Sequence, residues 1–314
     1  MISVVTAYYN RKKLFVRTLD SMKPYYDKID FEVIVVDDGS EEQERLEDLQ
    51  IEFPFLRIIR LEKESKWYKN PCIPFNIGFS QIRGDKVIIQ NPECYHFDNI
   101  LEYVDEKLQE NDYLSFGCYS LDKLNTDEDK LFLDKKHIQN LIKENNKAFI
   151  TDGDLGWYNH SVYRPESFHF CTALTAKDLF DIGGFDERYA KGIGYDDDDL
   201  IWRIKKKNMN IKFIDDRIVL HQNHYIKPHN IVEANKKRRE SYKLNQRIFE
   251  DITQCNHPWK ANFIENNYYN TKIENRIADN YFLEYNKLTK KVVEYKFSRK
   301  MGLYLLKVLS KIKF

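Results

Sequence analysis

The side chains best suited to chemistry are concentrated in residues 183–203. Two glycine-rich runs, Gly183-Gly184-Phe185-Asp186-Glu187 and Gly192-Ile193-Gly194-Tyr195, lead into four consecutive aspartates at 196–199. Leu200, Ile201, Trp202, Arg203 and Ile204 follow. Like charges this close repel, and the cost rises when they leave water. The apolar spacing behind them predicts a helix whose first turn is acidic, where the macrodipole favours negative charge. The glycines allow backbone geometry and close approach that other residues would block. A loop that delivers carboxylates to a helix N-terminus suits a general base at the mouth of a site. An exposed acidic helix start, or a calcium site, would have the same composition.

Three further polar clusters follow apolar, β-branched runs. Residues 2–6, 31–36, 56–61 and 86–90 read as buried strands, and 12–22, 74–82 and 98–108 as helices. A polar helix is expected from Glu41. Strands alternating with helices imply a parallel sheet covered on both faces, in which ligands bind beyond the carboxyl ends of the strands. Thr6, Ala7, Tyr8, Asn10 and Arg11 fall at the first such end, Asp37 and Asp38 at the second, and 91–96 at the fourth. For Asp37-Asp38-Gly39-Ser40 alone, a turn and a helix cap explain the composition equally well.

The run 4–11, Val-Val-Thr-Ala-Tyr-Tyr-Asn-Arg, and the run 33–40, Val-Ile-Val-Val-Asp-Asp-Gly-Ser, resemble the nucleotide-binding opening of family 2 glycosyltransferases with the GT-A fold. Asn76-Ile77-Gly78 and Gly84-Asp85 are similar to that family's next motif. The resemblance implies an α/β fold, a Rossmann-like mixed sheet covered on both faces, with a C-terminal helical extension. It implies a nucleotide site formed by Thr6, Ala7, Tyr8, Asn10, Arg11, Asp37 and Asp38, with Asp38 accepting from the base. A buried carboxylate needs a donor, and the imide N–H of uracil can supply one.

Such enzymes usually carry Asp-x-Asp at the end of the fourth strand, holding Mn²⁺ or Mg²⁺ against the diphosphate. This chain has Gln90-Asn91-Pro92-Glu93-Cys94-Tyr95-His96. Two arrangements follow. Glu93 is a metal ligand helped by a histidine from elsewhere, or cations such as Lys69, Arg83 and Lys191 and backbone N–H groups stabilise the leaving diphosphate.

In the second half, residues 136–145 and 176–182 read as helices, 211–214 and 218–220 as short strands, and 122–134 as a charged surface excursion. The segment 152–170 mixes Trp157, Tyr158, His160, Tyr163, Arg164, Phe168, His169 and Phe170 without a clean period. That suits sugar recognition, with ring faces on pyranose C–H patches; a loop packed on a core has the same composition. The 183–203 stretch resembles the acceptor half of galactosyl- and N-acetylgalactosaminyl-transferring GT-A enzymes, in which Gly-Phe-Asp-Glu precedes Gly-Glu-Asp and a closing aromatic–Arg pair. On that pattern Asp197 is the general base, Asp196 partners the acceptor hydroxyl, and Trp202-Arg203 is the closing pair. Trp157, Tyr158, His160 and Trp202 are the expected acceptor contacts. The family often places a histidine after the following strand to complete the metal shell; His221 is expected in that role, with His224 in reserve.

Whole-chain properties bound these readings. The 314 residues carry 50 basic and 50 acidic side chains, so no global charge steers nucleic acid. Aromatics make up 14%, which argues against disorder. Five scattered cysteines contain no C-x-x-C pair, and suggest a reducing compartment. No signal-peptide pattern opens the chain and no run of apolar residues is long enough to span a membrane, so a cytoplasmic location is expected. Residues 233–250 read as a charged helix. Residues 287–314 hold nine basic residues against Glu294, a net +8, with Met301, Tyr304, Leu305, Val308, Leu309 and Ile312 at helical spacing. That suits attachment to the anionic inner membrane face; a terminal helix docked on the body fits as well.

The expected organisation is a catalytic domain over 1–229, nucleotide-binding in 1–121 and acceptor-binding in 122–229, followed by a helical extension over 230–314. The expected activity is inverting transfer of a sugar from UDP-Gal, UDP-GalNAc or UDP-GlcNAc to a glycan or lipid-linked saccharide, with a divalent cation. The rival reading is a non-catalytic glycan- or nucleotide-binding protein on the same scaffold. A hydrolase using a metal at His221, His224 and the quartet lacks a third well-spaced ligand.

Overall fold

The computed structural model describes residues 1–225, 231–254 and 261. Its elements run β1 (Ile2–Tyr8), α1 (Lys12–Met22), β2 (Phe31–Asp37), β3 (Leu56–Arg60), α2 (Cys72–Phe79), β4 (Lys86–Gln90), β5 (Cys94–His96), α3 (Ile100–Lys107) and β6 (Asp112–Ser120). Then come α4 (Lys123–Asp127), α5 (Asp129–Phe132), α6 (Lys135–Glu144), β7 (Gly156–Asn159), β8 (Cys171–Thr175), α7 (Ala176–Ile182), α8 (Asp196–Lys206), β9 (Asn210–His221) and α9 (Ile231–Gln254).

The sheet order is β3-β2-β1-β4-β8-β6-β9-β5, with β7 on β6. Strands β3, β2, β1 and β4 are mutually parallel. Strand β8 enters antiparallel to both β4 and β6. In the parallel half β2 is buried throughout, as a sheet covered on both faces requires, while edge strand β3 is buried only at Leu56. Its helices must come close. A Cβ on Gly78 in α2 would lie 2.5 Å from Val5 Cγ1 on β1. The carboxyl ends of β1, β2 and β4 therefore open on one side of the sheet, as their alternation with helices predicts.

The structure departs from the sequence reading at three elements. After β2 there is no α-helix from Glu41, only short 3₁₀ turns at Glu42–Glu44 and Glu47–Gln50. Glu44 instead turns back to cap α1, its carboxylate accepting from the Lys12 backbone N–H at 2.7 Å. The excursion at 122–134 contains α4 and α5, and Asp122 accepts from the Asn125 N–H as the N-cap of α4. The two short strands expected near 211–220 are one strand, β9, whose register against β6 shifts between Phe116 and Gly117.

The compact unit Met1–Tyr269 takes in α9. The stretch 287–314, expected at a membrane surface, lies outside the described residues. No described helix is long and apolar enough to cross a membrane.

His96, on β5 at the far end of the sheet from β3, gives the fold a pH dependence. It is buried, its Nε2 lies 2.8 Å from Gln90 Oε1, and its Nδ1 has no partner among the described residues. Burial alone holds its pKa down at about 3. The unfolded chain binds a proton near pH 6.5 that the folded one refuses. Stability is then fully present above that pH and falls by up to about 1.4 kcal/mol per unit on the way down. Urea unfolding across pH 4–7 should show a shallower slope in His96→Gln than in the wild type; equal slopes would remove His96 from the account.

Candidate active site

A cleft of about 400 Å³ lies at the carboxyl ends of the parallel strands, lined among others by Ala7, Tyr8, Arg11, Asp38, Glu93 and His221. The turn after β1 and the turn after β2 are tied to each other. Asn10, at φ 48°, accepts from the Glu41 N–H through Oδ1 at 2.9 Å and donates its own N–H to Ser40 Oγ at 3.1 Å. Asp37 is fully buried, accepts from the Ser40 N–H at 2.9 Å and pairs with Arg60 at 3.0 Å. Asn10 and Asp37, expected at the nucleotide, build the turns and do not line the cleft. Thr6 is likewise buried behind it, with Oγ1 unpartnered among the described residues.

Asp38 is the carboxylate that reaches the opening. It accepts from Tyr68 and from Lys66, whose ammonium also sits over the Tyr9 ring at 5.2 Å. Burial pushes its carboxyl up, against the opposing pull of Lys66 and Tyr68.

Glu93, just beyond β4, is almost fully buried against one guanidinium and two imidazoles. Arg11 Nη1 meets its Oε2 at 2.6 Å, while His221 Nε2 and His224 Nε2 meet its Oε1 at 3.1 and 3.2 Å. Burial pushes this carboxyl up, but Arg11, His224 and His221 overcome it and hold the group well below the usual range. His221 is moved the other way: burial lowers its pKa and keeps it neutral, the form that binds metals. One ligand atom from each of Glu93, His221 and His224 lies within 4.8 Å of the others. A carboxylate with two imidazoles is a donor set that divalent first-row metals accept, and the Nδ1 of buried His221 is unused among the described residues. The residues present therefore fit a divalent ion. Both histidines belong to the cluster, where the sequence favoured one.

The acidic quartet divides by burial and partner. Asp199 is fully buried and paired to Arg203 Nε at 2.7 Å, one helical turn on. Arg203 also donates to the carbonyls of Ile182 and Gly184 at 2.6 and 2.7 Å, holding the double-glycine turn. Asp196 is buried and accepts from Asn70 Nδ2 at 2.8 Å; burial, then the neighbouring Asp197, pushes its pKa up to about 6. Asp197 remains partly exposed and accepts from both the backbone N–H, at 3.1 Å, and the Nδ1 of His169. Burial opposes protonation of His169, and Asp197 outweighs it, so the imidazole pKa is raised. His169 packs edge-on against Phe75, which lines the cleft with Phe170; Asp196 and Asp197 lie behind this wall and do not line the cleft themselves.

The expected acceptor contacts are dispersed. Trp157 is buried edge-on against Tyr119 and donates to Asn146 Oδ1 at 2.7 Å. Tyr158 is buried behind the wall, stacked on Phe170 and hydrogen-bonded at 3.0 Å to Tyr225. His160 lies against Trp157, and Trp202 packs beside the Tyr189–Ile248–Ile252 cluster. None of the four lines the cleft. Of the three expected cations, Lys69 lines it, and Arg83 and Lys191 do not. The sequence reading passed over Lys66, Tyr68, Phe75 and Tyr225 as site residues. Each is a lone residue in a loop or apolar run, without spacing that marks it.

A sequence model described as glycosyl transferase family 2 matches residues 3–165, and one described as the N-terminal domain of galactosyltransferase matches 162–226. Among curated protein sequences there is no match. Solved structures similar to this one include S. aureus TarS, at 18% identity and TM-score 0.47 over 70% of this chain and 36% of that one. The mannosyltransferase PcManGT from Pyrobaculum calidifontis, in complex with GDP-Man and Mn²⁺, is 15% identical at TM-score 0.46, over 83% of this chain and 65% of that one. Glucosyl-3-phosphoglycerate synthase from Mycobacterium tuberculosis is 16% identical at TM-score 0.46, over 82% and 81%. This chain spans little more than a third of the TarS chain.

Proposed function

Because the chain belongs to glycosyl transferase family 2, an α/β family of the GT-A arrangement, we propose that it transfers a sugar from a uridine diphosphate donor to a hydroxyl of a glycan or lipid-linked saccharide. The observation that carries this reading is one cleft holding both Asp38 and the Glu93–His221–His224 cluster. The first suits a nucleobase and the second the region of a diphosphate.

In the proposed reaction Asp197 takes the proton of the acceptor hydroxyl. The acceptor oxygen attacks the anomeric carbon in line, the bond to the diphosphate oxygen breaks, and UDP leaves with its electron pair, inverting the centre. His169 keeps the Asp197 carboxylate oriented, and Asp196 partners the acceptor. Arg11 and Lys69 line the cleft as cations facing the donor phosphates. A divalent ion, when bound by Glu93, His221 and His224, supplies further positive charge to the leaving diphosphate. Attachment of 287–314 to an anionic membrane rests on charge and spacing alone.

The test is UDP release and product formation from UDP-Gal, UDP-GalNAc and UDP-GlcNAc with saccharide acceptors, with Mn²⁺ and in excess chelator. Turnover of at least one donor is expected. Binding of donor or glycan without turnover would favour the non-catalytic reading, and full activity in chelator would favour a metal-free site. Asp38→Ala should weaken UDP binding by about 1–3 kcal/mol, the cost of leaving a hydrogen-bonding group without its partner. An unchanged affinity by calorimetry would separate Asp38 from the base.

A further inference from the structure

Helix α9 lies beyond both matched regions, yet it grips the loop that precedes the acidic quartet. Asn245 is fully buried in this otherwise charged helix. A buried amide is costly unless its hydrogen bonds are made. Both protons of its Nδ2 are used on the loop, one on the Tyr189 carbonyl at 3.1 Å and one on the Gly194 carbonyl at 2.8 Å. Its Oδ1 is buried without a hydrogen-bond partner among the described residues and lies against Gly192, where a Cβ would come within 2.0 Å of it. One helical turn earlier, the Ser241 carbonyl accepts from the Ile193 N–H at 3.3 Å, and the Ser241 hydroxyl accepts from Lys69 Nζ at 3.2 Å.

The loop arrives at the quartet in an unusual conformation. Gly194 has φ +70° and Tyr195, the residue before Asp196, has φ 64°. A non-glycine residue in this region is held there by its surroundings. Those surroundings are α9: the Tyr195 ring packs on Tyr242 and Phe249, with centroids 4.8 and 5.6 Å away. The same loop touches the cleft wall, since the Lys69 and Asn70 N–H groups both donate to the Ala190 carbonyl, at 2.8 and 3.1 Å.

We propose that Asn245 is a positioning residue: by joining the Tyr189 and Gly194 carbonyls it fixes the 189–195 loop and so sets Asp196 and Asp197 relative to the cleft. This rests on the reading of Asp197 as the base. Displacing a reacting group by about 1 Å can cost about 10²-fold in rate, so the one amide that joins both ends of the loop is a sensitive point.

The experiment compares full-length Asn245→Ala with full-length Ile252→Ala. Ile252 is buried on the same helix beside Tyr189 but makes no bond to the loop backbone. Donor turnover is measured with the best UDP-sugar of the panel, and hydrogen exchange follows the Ile193 and Asp199 amides at a temperature where both variants are folded. Asn245→Ala should lower kcat about tenfold or more, leave the donor KM within about twofold, and speed exchange at both amides. Ile252→Ala should leave kcat near the wild-type value. Should Asn245→Ala not fold, Gly192→Ala disturbs the same contact from the loop side and should lower kcat likewise. Wild-type kcat and exchange in the Asn245 or Gly192 variant would overturn the proposal, as would an equal loss of kcat in Ile252→Ala. An active Asp197→Asn beside a slow Asn245→Ala would instead sink the assignment of the base and leave the clamp standing.

Discussion

Asp197→Asn is expected to lower kcat by about 10²–10⁴-fold, the usual contribution of a general base, while UDP binding changes little. The four aspartates are not equivalent. Asp199 is committed to Arg203, and through it to the Ile182 and Gly184 carbonyls. Asp196 is buried on Asn70. Asp197 alone combines partial exposure with an orientation fixed by two donors from His169. Asparagine keeps the shape and removes the proton acceptor. Asp196→Asn should chiefly raise the acceptor KM, and Asp198→Asn should change little. Steady-state kinetics on the three variants, with UDP titrations beside them, decide the matter. A near-normal kcat in Asp197→Asn with a dead Asp198→Asn would place the base elsewhere in the quartet.

Glu93→Ala should produce the largest combined loss, in stability and in function. The carboxylate is buried against Arg11, His221 and His224. Removing one partner of a buried charge pair typically costs about 3–5 kcal/mol, because the remaining charge is left without compensation. Arg11 is part-exposed and can reach water, which places the expected cost toward the lower end of that range. If the cluster holds a metal, its affinity should also fall by more than the about 10–100-fold that outer partners of a ligand cost. Glu93→Gln separates the two effects: it keeps the shape and some hydrogen bonds, and removes the charge. Thermal unfolding and Mn²⁺ titration in the presence of UDP measure both. A Glu93→Ala protein as stable as the wild type and equally responsive to Mn²⁺ would mean that the cluster is neither a keystone nor a ligand set.

The parallel half of the sheet was legible because its strands are short, mostly apolar and β-branched runs that end in polar residues and alternate with helical spacing. The acidic start of α8 was legible for the same reason, since Leu200, Ile201 and Ile204 fix its buried face. The roles within each polar cluster were harder. Asp37 and Asp38 are adjacent acids, and composition cannot say which one turns inward to Ser40 and Arg60. The polar run after Glu41 lacks an apolar stripe, and Glu44 accepts from the Lys12 N–H at the start of α1 instead. Trp157 and His160 mislead because an aromatic in an irregular segment looks the same whether it faces a sugar or another ring; here Trp157 faces Tyr119. The pairing of Glu93 with two histidines spans more than a hundred residues and depends on β5 lying beside β9. Asn245 had no local mark at all, since one asparagine in a charged helix reads as a solvated face.

The most direct test of the central claim is a crystal structure of the protein with UDP and Mn²⁺, with anomalous scattering used to locate the metal. The account predicts the uracil on the Asp38 carboxylate and one manganese peak bonded to Glu93, His221, His224 and the diphosphate. A nucleotide bound away from this cleft, or bound in it with manganese absent from the Glu93 cluster, would contradict it.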